Sequence, residues 1–480
     1  MKIKGRLRLL TALMGLLCMP LYAQIQKGMS LHQCIEIALE KSEQVRLEKE
    51  KLLEATAGVK EAKTGFLPKF SGRATYTRLD EAPYLDASAM GDLLSGLSAP
   101  FEYLAFKDTV GGNPPDYGLL AALAQMGGGD QQGDGKIYMG DENIYNIIFS
   151  VQQPIFTGGK IYNGYRAARN GLKAVEENSK KVERDLVLSV KRSFYTVLQV
   201  QRSMEVIDTS LRQLEGIVQD LENMMAQGML GEQEVMKARV QKYNLELTRV
   251  KAVHGITMAK AALCNTMGIP IDSAIELVYE AVPPEGVSLP EMSVLIDKAR
   301  RSRSEIKALE YQRDVLENMV KISRAAYMPN VVAQGNYNFK RPNRSYQPEF
   351  YNSWDVTLAL QMNLFDWGEG WHKTTKAKSQ LRQLEIGIEQ AKNGIALGVE
   401  KNYLDVKEAF EKIDIAEKAL EQAKKSYTII ADQMAYGVAK NADLLEAQRT
   451  LTEATINFHN GVINYYLKRS ELEYLLDENS

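Results

Sequence analysis

The sequence predicts a mainly α-helical chain with a small membrane β part. It reads as one duplicated unit whose long coiled-coil helices form a periplasmic α-barrel and whose four strands contribute to an oligomeric transmembrane β-barrel. Three observations predict this: an internal repeat, heptad seams that run for many turns, and strands with one apolar and one polar face. The repeat comes first because it fixes the order of elements. A constant shift of 209 pairs Phe156 with Phe365, Val190 with Val399, Gly228 with Gly437 and Ala238 with Ala447. Ahead of the strands a shift of 261 pairs Ile35 with Ile296, Ala38 with Ala299, Pro68 with Pro329 and Tyr76 with Tyr337. The difference between the shifts is one longer loop, residues 79–143. A repeat of this length points to a duplicated structural unit.

The chain opens on a basic start containing Lys2, Lys4, Arg6 and Arg8, followed by an apolar run that ends at Tyr22-Ala23. Residues 1–23 therefore read as a secretory signal cleaved near Ala23. Leu17 ahead of Cys18 is too large for a lipidation site, so acylation at Cys18 is not expected. No later stretch is long and apolar enough for a membrane helix, so any crossing must use strands. Net charge is -2 with both signs interspersed, which gives no electrostatic reason to expect nucleic acid. Cys34 and Cys264, the cysteines beyond the leader, read as two buried thiols rather than a disulfide.

The first unit, 24–290, is expected to hold a helix over 31–64, strands near 67–78 and 144–156, a long helix over 160–226, a return helix over 232–266 and a linker from about 267. The second, 291–480, repeats the pattern with a helix over 292–327, strands near 329–340 and 353–365, a long helix over 370–434 and a return helix over 441–476. In the first long helix Leu186, Val190, Ser193, Val197, Val200, Met204, Ile207, Leu211, Leu214, Val218, Leu221 and Met225 alternate by four and three, the seam of a coiled coil. In the second, Ile395, Val399, Asn402, Val406, Ala409 and Ile413 continue through Met434. Each long helix makes a rod of roughly 100 Å at about 1.5 Å per residue. The return helices are half as long, so the segment ahead of each strand pair is expected to stack on the return helix and complete a second rod.

The strand reading rests on alternation. From Trp354 the residues Val356, Leu358, Leu360, Met362 and Leu364 share one face, against Asp355, Thr357, Gln361 and Asn363. This is the pattern of a barrel strand with lipid on one side and lumen on the other. Eleven steps to Phe365 cover roughly 26 Å at the usual rise and tilt. Phe156, Trp354, Phe365, Trp367 and Trp371 are the candidate membrane-interface aromatics. A half-buried sheet in a soluble protein also alternates, but the leader and the flanking aromatics favour outer-membrane lipid. Four strands cannot close a barrel, and open edges cannot face lipid, so the chain must oligomerise.

The strand exits QQPIFTGGKIYNGY (152–165) and MNLFDWGEGW (362–371), and the tip segment GVAKNADLLEAQRTLTEA (437–454) with its looser twin GMLGEQEVMKARVQ (228–241), resemble the TolC family of outer-membrane efflux ducts over nearly the whole chain. The resemblance implies a homotrimer with a 12-stranded barrel above a 12-helix periplasmic tube. It also implies docking of a periplasmic adaptor (membrane fusion) protein and an inner-membrane pump on the helical tips, here Gly228, Leu230 and Gly231, and Gly437, Val438 and Ala439. It places an acidic lumen constriction at Asp443 and Glu446, which lie at i and i+3 on one helical face. Their first-repeat counterparts are Glu234 and Lys237, so the acidic pair is half reproduced. A basic latch found in some relatives is not carried over, because Ala439 stands at that place.

No phosphate loop, nucleophile elbow or paired-histidine metal motif is present among the candidate chemistries, so neither enzyme activity nor a cofactor is expected. Asp130 and Asp134 lie in a Gly-rich loop whose spacing fits no complete calcium ligand set. Methionines crowd the first tip, which reads as adaptable packing. The functional expectation is a passive exit duct for an energised inner-membrane pump. The alternatives are the outer-membrane duct of a type I protein secretion system and a non-conducting periplasmic coiled-coil scaffold.

Overall fold

The computed structural model describes residues 28–86, 136–138, 141–278, 281–286, 288–345 and 347–477. The leader, Cys18, and the loop acids Asp130 and Asp134 lie outside the described residues. In chain order the elements are α1 (Leu31–Lys41), α2 (Glu43–Thr64), β1 (Lys69–Arg78), β2 (Tyr84–Asp86), β3 (Lys136–Tyr138), β4 (Asn143–Thr157), α3 (Lys160–Ala226), α4 (Glu232–Met267), α5 (Met292–Ser302), α6 (Ser304–Arg324), β5 (Asn330–Arg341), β6 (Tyr351–Gln361), α7 (Glu369–Ala435) and α8 (Asn441–Leu475). They fall into two compact units. One, helical, comprises residues up to 59, 166–319 and 376 onward; the other, carrying the strands, comprises 60–165 and 320–375.

In the helical unit the heptad seam is the core. Leu186, Val190, Phe194, Val197 and Leu198 of α3 are at most 2% exposed. They pack in one cluster with Cys34 and Ala38 of α1, Leu263, Cys264 and Met267 of α4, Leu295 and Ala299 of α5, Val399, Val406, Ala409 and Ile413 of α7, and Val462, Ile463 and Leu472 of α8. A second cluster joins Leu214, Ile217, Val218 and Leu221 of α3 to Val235 and Ala238 of α4 and Leu444 and Leu445 of α8. The two polar seam residues are satisfied locally: the Ser193 hydroxyl lies 3.4 Å from that of Thr266, and Asn402 donates to the Gly398 carbonyl at 2.8 Å. Both cysteines are free and buried. Burial pushes the Cys34 thiol up to about 11, and neighbouring Cys264 adds to the shift.

Three expected elements are corrected. The helix over 31–64 is broken at Ser42 (φ -57, ψ 133), which ends α1 and whose hydroxyl accepts from the Gln44 amide at the start of α2. The helix over 292–327 is broken at the position one repeat shift later, Arg303 (φ -60, ψ 129), and finishes in a 3-10 turn at Ala325–Tyr327. The cause is packing against the ends of the return helices. Gly268, which caps α4 at φ +71, abuts Lys41 and Ser42, and a Cβ there would sit 2.8 Å from the Lys41 carbonyl oxygen. At the second break Arg303 is 5% exposed, donates to the Leu475 carbonyl at 3.4 Å, pairs with Glu305 and lies 5.0 Å from the Tyr474 ring. Asp477, the repeat equivalent of Gly268, is again left-handed at φ 62 and pairs with Arg184. Each return helix therefore ends on a break in the segment ahead of the strands.

The third correction is the strand expected over 353–365, which runs from Tyr351 to Gln361. Its ladder stops because β5 begins at Asn330, which pairs with Gln361, and Pro329 before it has no N–H to offer. Asp366 then turns the chain into α7, its carboxylate accepting from the Gly368 and Gly370 amides at 3.1 and 2.9 Å. The main sheet is antiparallel in the order β1-β4-β5-β6, while β2 and β3 form a separate two-stranded ribbon. A bulge interrupts β4 between Pro154 and Phe156, where proline cannot donate to the ladder.

Candidate functional site

Register sorts the sheet into two faces. Directly opposed residues point the same way, so Ser71, Ser150, Asn336 and Asp355 form one row and Lys69, Gln152, Gln334 and Thr357 the next. Between them on the other face lie Phe70, Val151, Gly335 and Val356, then Gly72, Phe149, Tyr337 and Trp354. The apolar face is exposed, Trp354 and Val356 at 74% and Leu358 at 71%; the polar face is exposed too along β1 and most of β6, is mostly half-buried on β4 and β5, and closes over only at Asn338, 6% exposed. A sheet packed on a soluble core covers its apolar face instead. The polar face is tied by side-chain hydrogen bonds, Ser150 to Asn336 at 2.8 Å, and Asn336 and Asn338 to the Asp355 carboxylate at 2.7 and 3.1 Å. Ile148 is an aliphatic on this polar face, between Arg73 and Asn338, as are Ile144 opposite Thr77 and Val332 opposite Ala359.

The aromatics separate by position. Phe156, Phe365, Trp367 and Trp371 lie where strands hand over to helices, while Trp354 lies near the opposite, loop-bearing end, opposed to Tyr337. The Phe365 and Trp367 rings meet edge-on at 4.9 Å, and Trp371 meets His372 at the same separation. Trp367 holds φ 54, left-handed backbone that a bulky residue rarely adopts. Its repeat equivalent is Gly158 at φ +61, followed in both copies by a second left-handed glycine, Gly159 and Gly368. Trp367 presents an indole that is 87% exposed, at about 1–2 kcal/mol of backbone strain.

At one end of the helical unit both long helices finish alike. Gly228 donates to the Met225 carbonyl and Met229 to that of Met224, each at 2.9 Å; Gly437 donates to Met434 at 3.0 Å and Val438 to Gln433 at 2.9 Å. This pair of hydrogen bonds around a left-handed glycine, φ +73 and +74, reverses the chain within a few residues. Leu230 tucks against the tip cluster, Gly231 caps α4, and Val438 is 75% exposed with Ala439 half-buried behind it. A groove of about 440 Å3 beside the first turn is lined by Leu221, Met224, Met229, Tyr427, Met434 and Leu444. Met225 and Met434 pack against the tip cluster, Asp220, Asn223 and Gln227 also line the groove, and Met229 and Met236 are exposed at 69% and 52%.

Asp443 and Glu446 share a second groove, of about 290 Å3, with Ala423, Ser426 and Ile430 of α7. The sequence reading missed Arg449. It pairs with Glu446 at 2.5 Å and with Glu453 at 2.6 Å, and its hydrogen bond holds the Glu446 carboxyl below the usual carboxylate range. The i+3 and i+4 spacing was the available signal. Asp443 is exposed in the first turn of α8, where the helix dipole favours its charge. In the first repeat Glu234 pairs with Lys237 at 2.8 Å and its backbone carbonyl accepts from buried Asn441 at 3.0 Å; the Lys237 hydrogen bond, followed by that of Asn441, lowers the Glu234 carboxyl. Gln213–Gln448 at 2.8 Å and Ser210–Thr452 at 2.8 Å extend this polar seam between the repeats.

Comparison with known proteins accords with this geometry. The family model described as outer membrane efflux protein matches residues 120–268 and 295–475. The chain is 22% identical over 315 residues to protein CyaE of Bordetella pertussis, covering 65% of this chain and 66% of that one, just under two thirds of the relative's length. It is 21% identical over 350 residues to the alkaline protease secretion protein AprF of Pseudomonas aeruginosa, covering 70% and 71%. The pyoverdine export outer membrane protein OpmQ of the same organism is 24% identical over 62% of each chain. Among solved structures, the outer membrane protein VceC of Vibrio cholerae superposes with a TM-score of 0.72 at 16% identity, covering 94% of this chain and 96% of that one. The CmeC outer membrane channel of Campylobacter jejuni gives 0.71 at 16% identity over 93% and 85%.

Proposed function

The chain belongs to the outer membrane efflux protein family, and from that premise we propose that it is the passive exit duct of a tripartite export assembly. Its strands cross the outer membrane and its helices line a periplasmic passage. The observation that carries the reading is a sheet with one apolar face that the chain leaves uncovered, opposite a polar one. Lipid is the solvent that makes such a face stable. The two open edges, β1 and β6, cannot face hydrocarbon unpaired. Copies of the chain therefore complete the barrel, as a homotrimer by the family resemblance. The chain conducts and does not catalyse; an inner-membrane pump supplies the energy, and a periplasmic adaptor docks at the tips around Gly228, Leu230, Gly231, Gly437, Val438 and Ala439.

Asp443 and Glu446 form the lumen constriction, with Glu234 and Lys237 as a charge-balanced first-repeat counterpart. Arg449 changes what this constriction is: Glu446 is internally compensated, so Asp443 is the carboxylate free to attract cations. Planar-bilayer recording tests both levels. The purified protein should form channels, and Asp443→Ala with Glu446→Ala should raise their conductance and weaken block by divalent cations. Unchanged conductance and block would remove the constriction assignment, and failure to conduct at all would remove the duct.

A second reading of the cargo rests on the AprF similarity, since that relative is a protease secretion protein. On this reading the same duct serves a type I protein secretion system. Deleting the gene separates the two: loss of a secreted protein from the medium favours secretion, and raised sensitivity to small toxic compounds favours efflux.

A further inference from the structure

The charges on the four main strands are strongly one-sided. Lys69, Arg73, Arg78, Lys340 and Arg341 are cations, and Asp355 is the sole acid. Arg78, Lys340 and Arg341 belong to the loop-bearing end, and two of them have acid partners there: Arg78 lies 4.0 Å from Glu142, and Arg341 lies 3.3 Å from Asp141 and 5.5 Å from the Tyr145 ring. Lys69, Arg73 and Lys340 lie on the polar face by register. Lys69 stands in the row of Gln152, Gln334 and Thr357, Arg73 in that of Ile148, Asn338 and Ser353, and Lys340 in that of Asn146, Thr75 and Tyr351. None of these three makes an ion pair among the described residues. Asp355 shares their face, but its carboxylate is engaged by the Asn336 and Asn338 amides.

Lumen-facing charge matters more than the same charge on an open surface. Low-dielectric walls focus the field of fixed charges along the bore, and every further copy of the chain adds the same set. Three unpaired cations against one amide-held carboxylate leave each copy's strand wall with a net positive face, distributed along the strands rather than at one rim.

Resting on the duct reading above, we propose that the strand-lined section of the conduit is an anion-selective passage, so that small organic and inorganic anions are the solutes it passes most readily.

Reversal potentials across planar bilayers in a potassium chloride gradient test this. The background is the Asp443→Asn, Glu446→Gln protein, so that tip acids do not set the sign. In that background the reversal potential should report chloride over potassium. Lys69→Gln, Arg73→Gln and Lys340→Gln together should move it toward potassium, and Asp355→Asn should move it further toward chloride. These are solvent-facing substitutions; should the triple variant fail to insert, the three single variants and Asp355→Asn still give shifts of predicted sign. Channels whose reversal potential ignores all of these changes overturn the inference and leave the duct standing. Protein that inserts without conducting removes both.

Discussion

Gly268 and Gly228 have nearly the same backbone, φ +71 and +73, in different surroundings, and that contrast yields a quantitative prediction. An alanine at Gly228 would meet nothing within 4 Å, so its cost is the left-handed conformation alone, about 1–2 kcal/mol. An alanine at Gly268 bears the same cost and in addition presses its Cβ to 2.8 Å from the Lys41 carbonyl oxygen and 2.9 Å from Ser42 Cα. Both are backbone atoms that cannot swing aside, so overpacking adds about 1–3 kcal/mol. Gly268→Ala should therefore destabilise the junction of α4 with the α1–α2 break by about 2–5 kcal/mol. Hydrogen exchange reads such local opening directly. Amides of residues 31–45 and 260–270 should exchange about 30-fold to several thousand-fold faster in Gly268→Ala. Gly228→Ala should leave those amides unchanged and accelerate only its own hairpin. Equal effects at 31–45 from the two variants, or none from Gly268→Ala, would refute the claim that the return helix is seated on the break.

Other expectations follow from the core and the charges. Phe194→Ala, at a side chain 1% exposed, should cost about 3–5 kcal/mol in denaturant unfolding of the detergent-solubilised protein. The Cys34 thiol, raised from 9.0 to about 11 in the fold, contributes stability that is fully present below pH ~9 and is lost as pH rises through 11. Native alkylation should accordingly be negligible at pH 8 and grow toward pH 11, with both thiols reacting promptly after unfolding; rapid labelling of folded protein at pH 8 would contradict the burial. Arg449→Ala frees the Glu446 and Glu453 carboxylates, so divalent-cation block in bilayers should strengthen, the reverse of the Asp443→Ala, Glu446→Ala effect.

What the sequence disclosed and withheld follows from where each signal resides. The long helices and alternating strands were legible because Leu186 to Leu221 and Trp354 to Leu360 carry their period in the residues themselves. The breaks at Ser42 and Arg303 were not, because apolar spacing continues through a single extended residue and the cause lies in the ends of other helices. The end of β6 at Gln361 was equally hidden: Met362 and Leu364 keep the alternation, but pairing depends on where β5 begins. The left-handed Trp367 had a faint signal, its alignment with Gly158. At the tip, Arg449 stands three residues from Glu446 in the sequence, and only the folded helix, where the two side chains meet, makes it part of the site. The cationic polar face became visible once register assigned Lys69, Arg73 and Lys340 to one side.

The central claim is that the exposed apolar face meets lipid while the polar face lines water. Single cysteines at residues 353 to 360 of β6, introduced one at a time and reconstituted in liposomes, test it most directly, since Cys34 and Cys264 are buried. The account predicts a period of two: positions 353, 355 and 357 react with a charged, water-confined maleimide, and positions 354, 356, 358 and 360 react with a lipid-confined photoprobe instead. Uniform labelling by the aqueous reagent along the strand would contradict it.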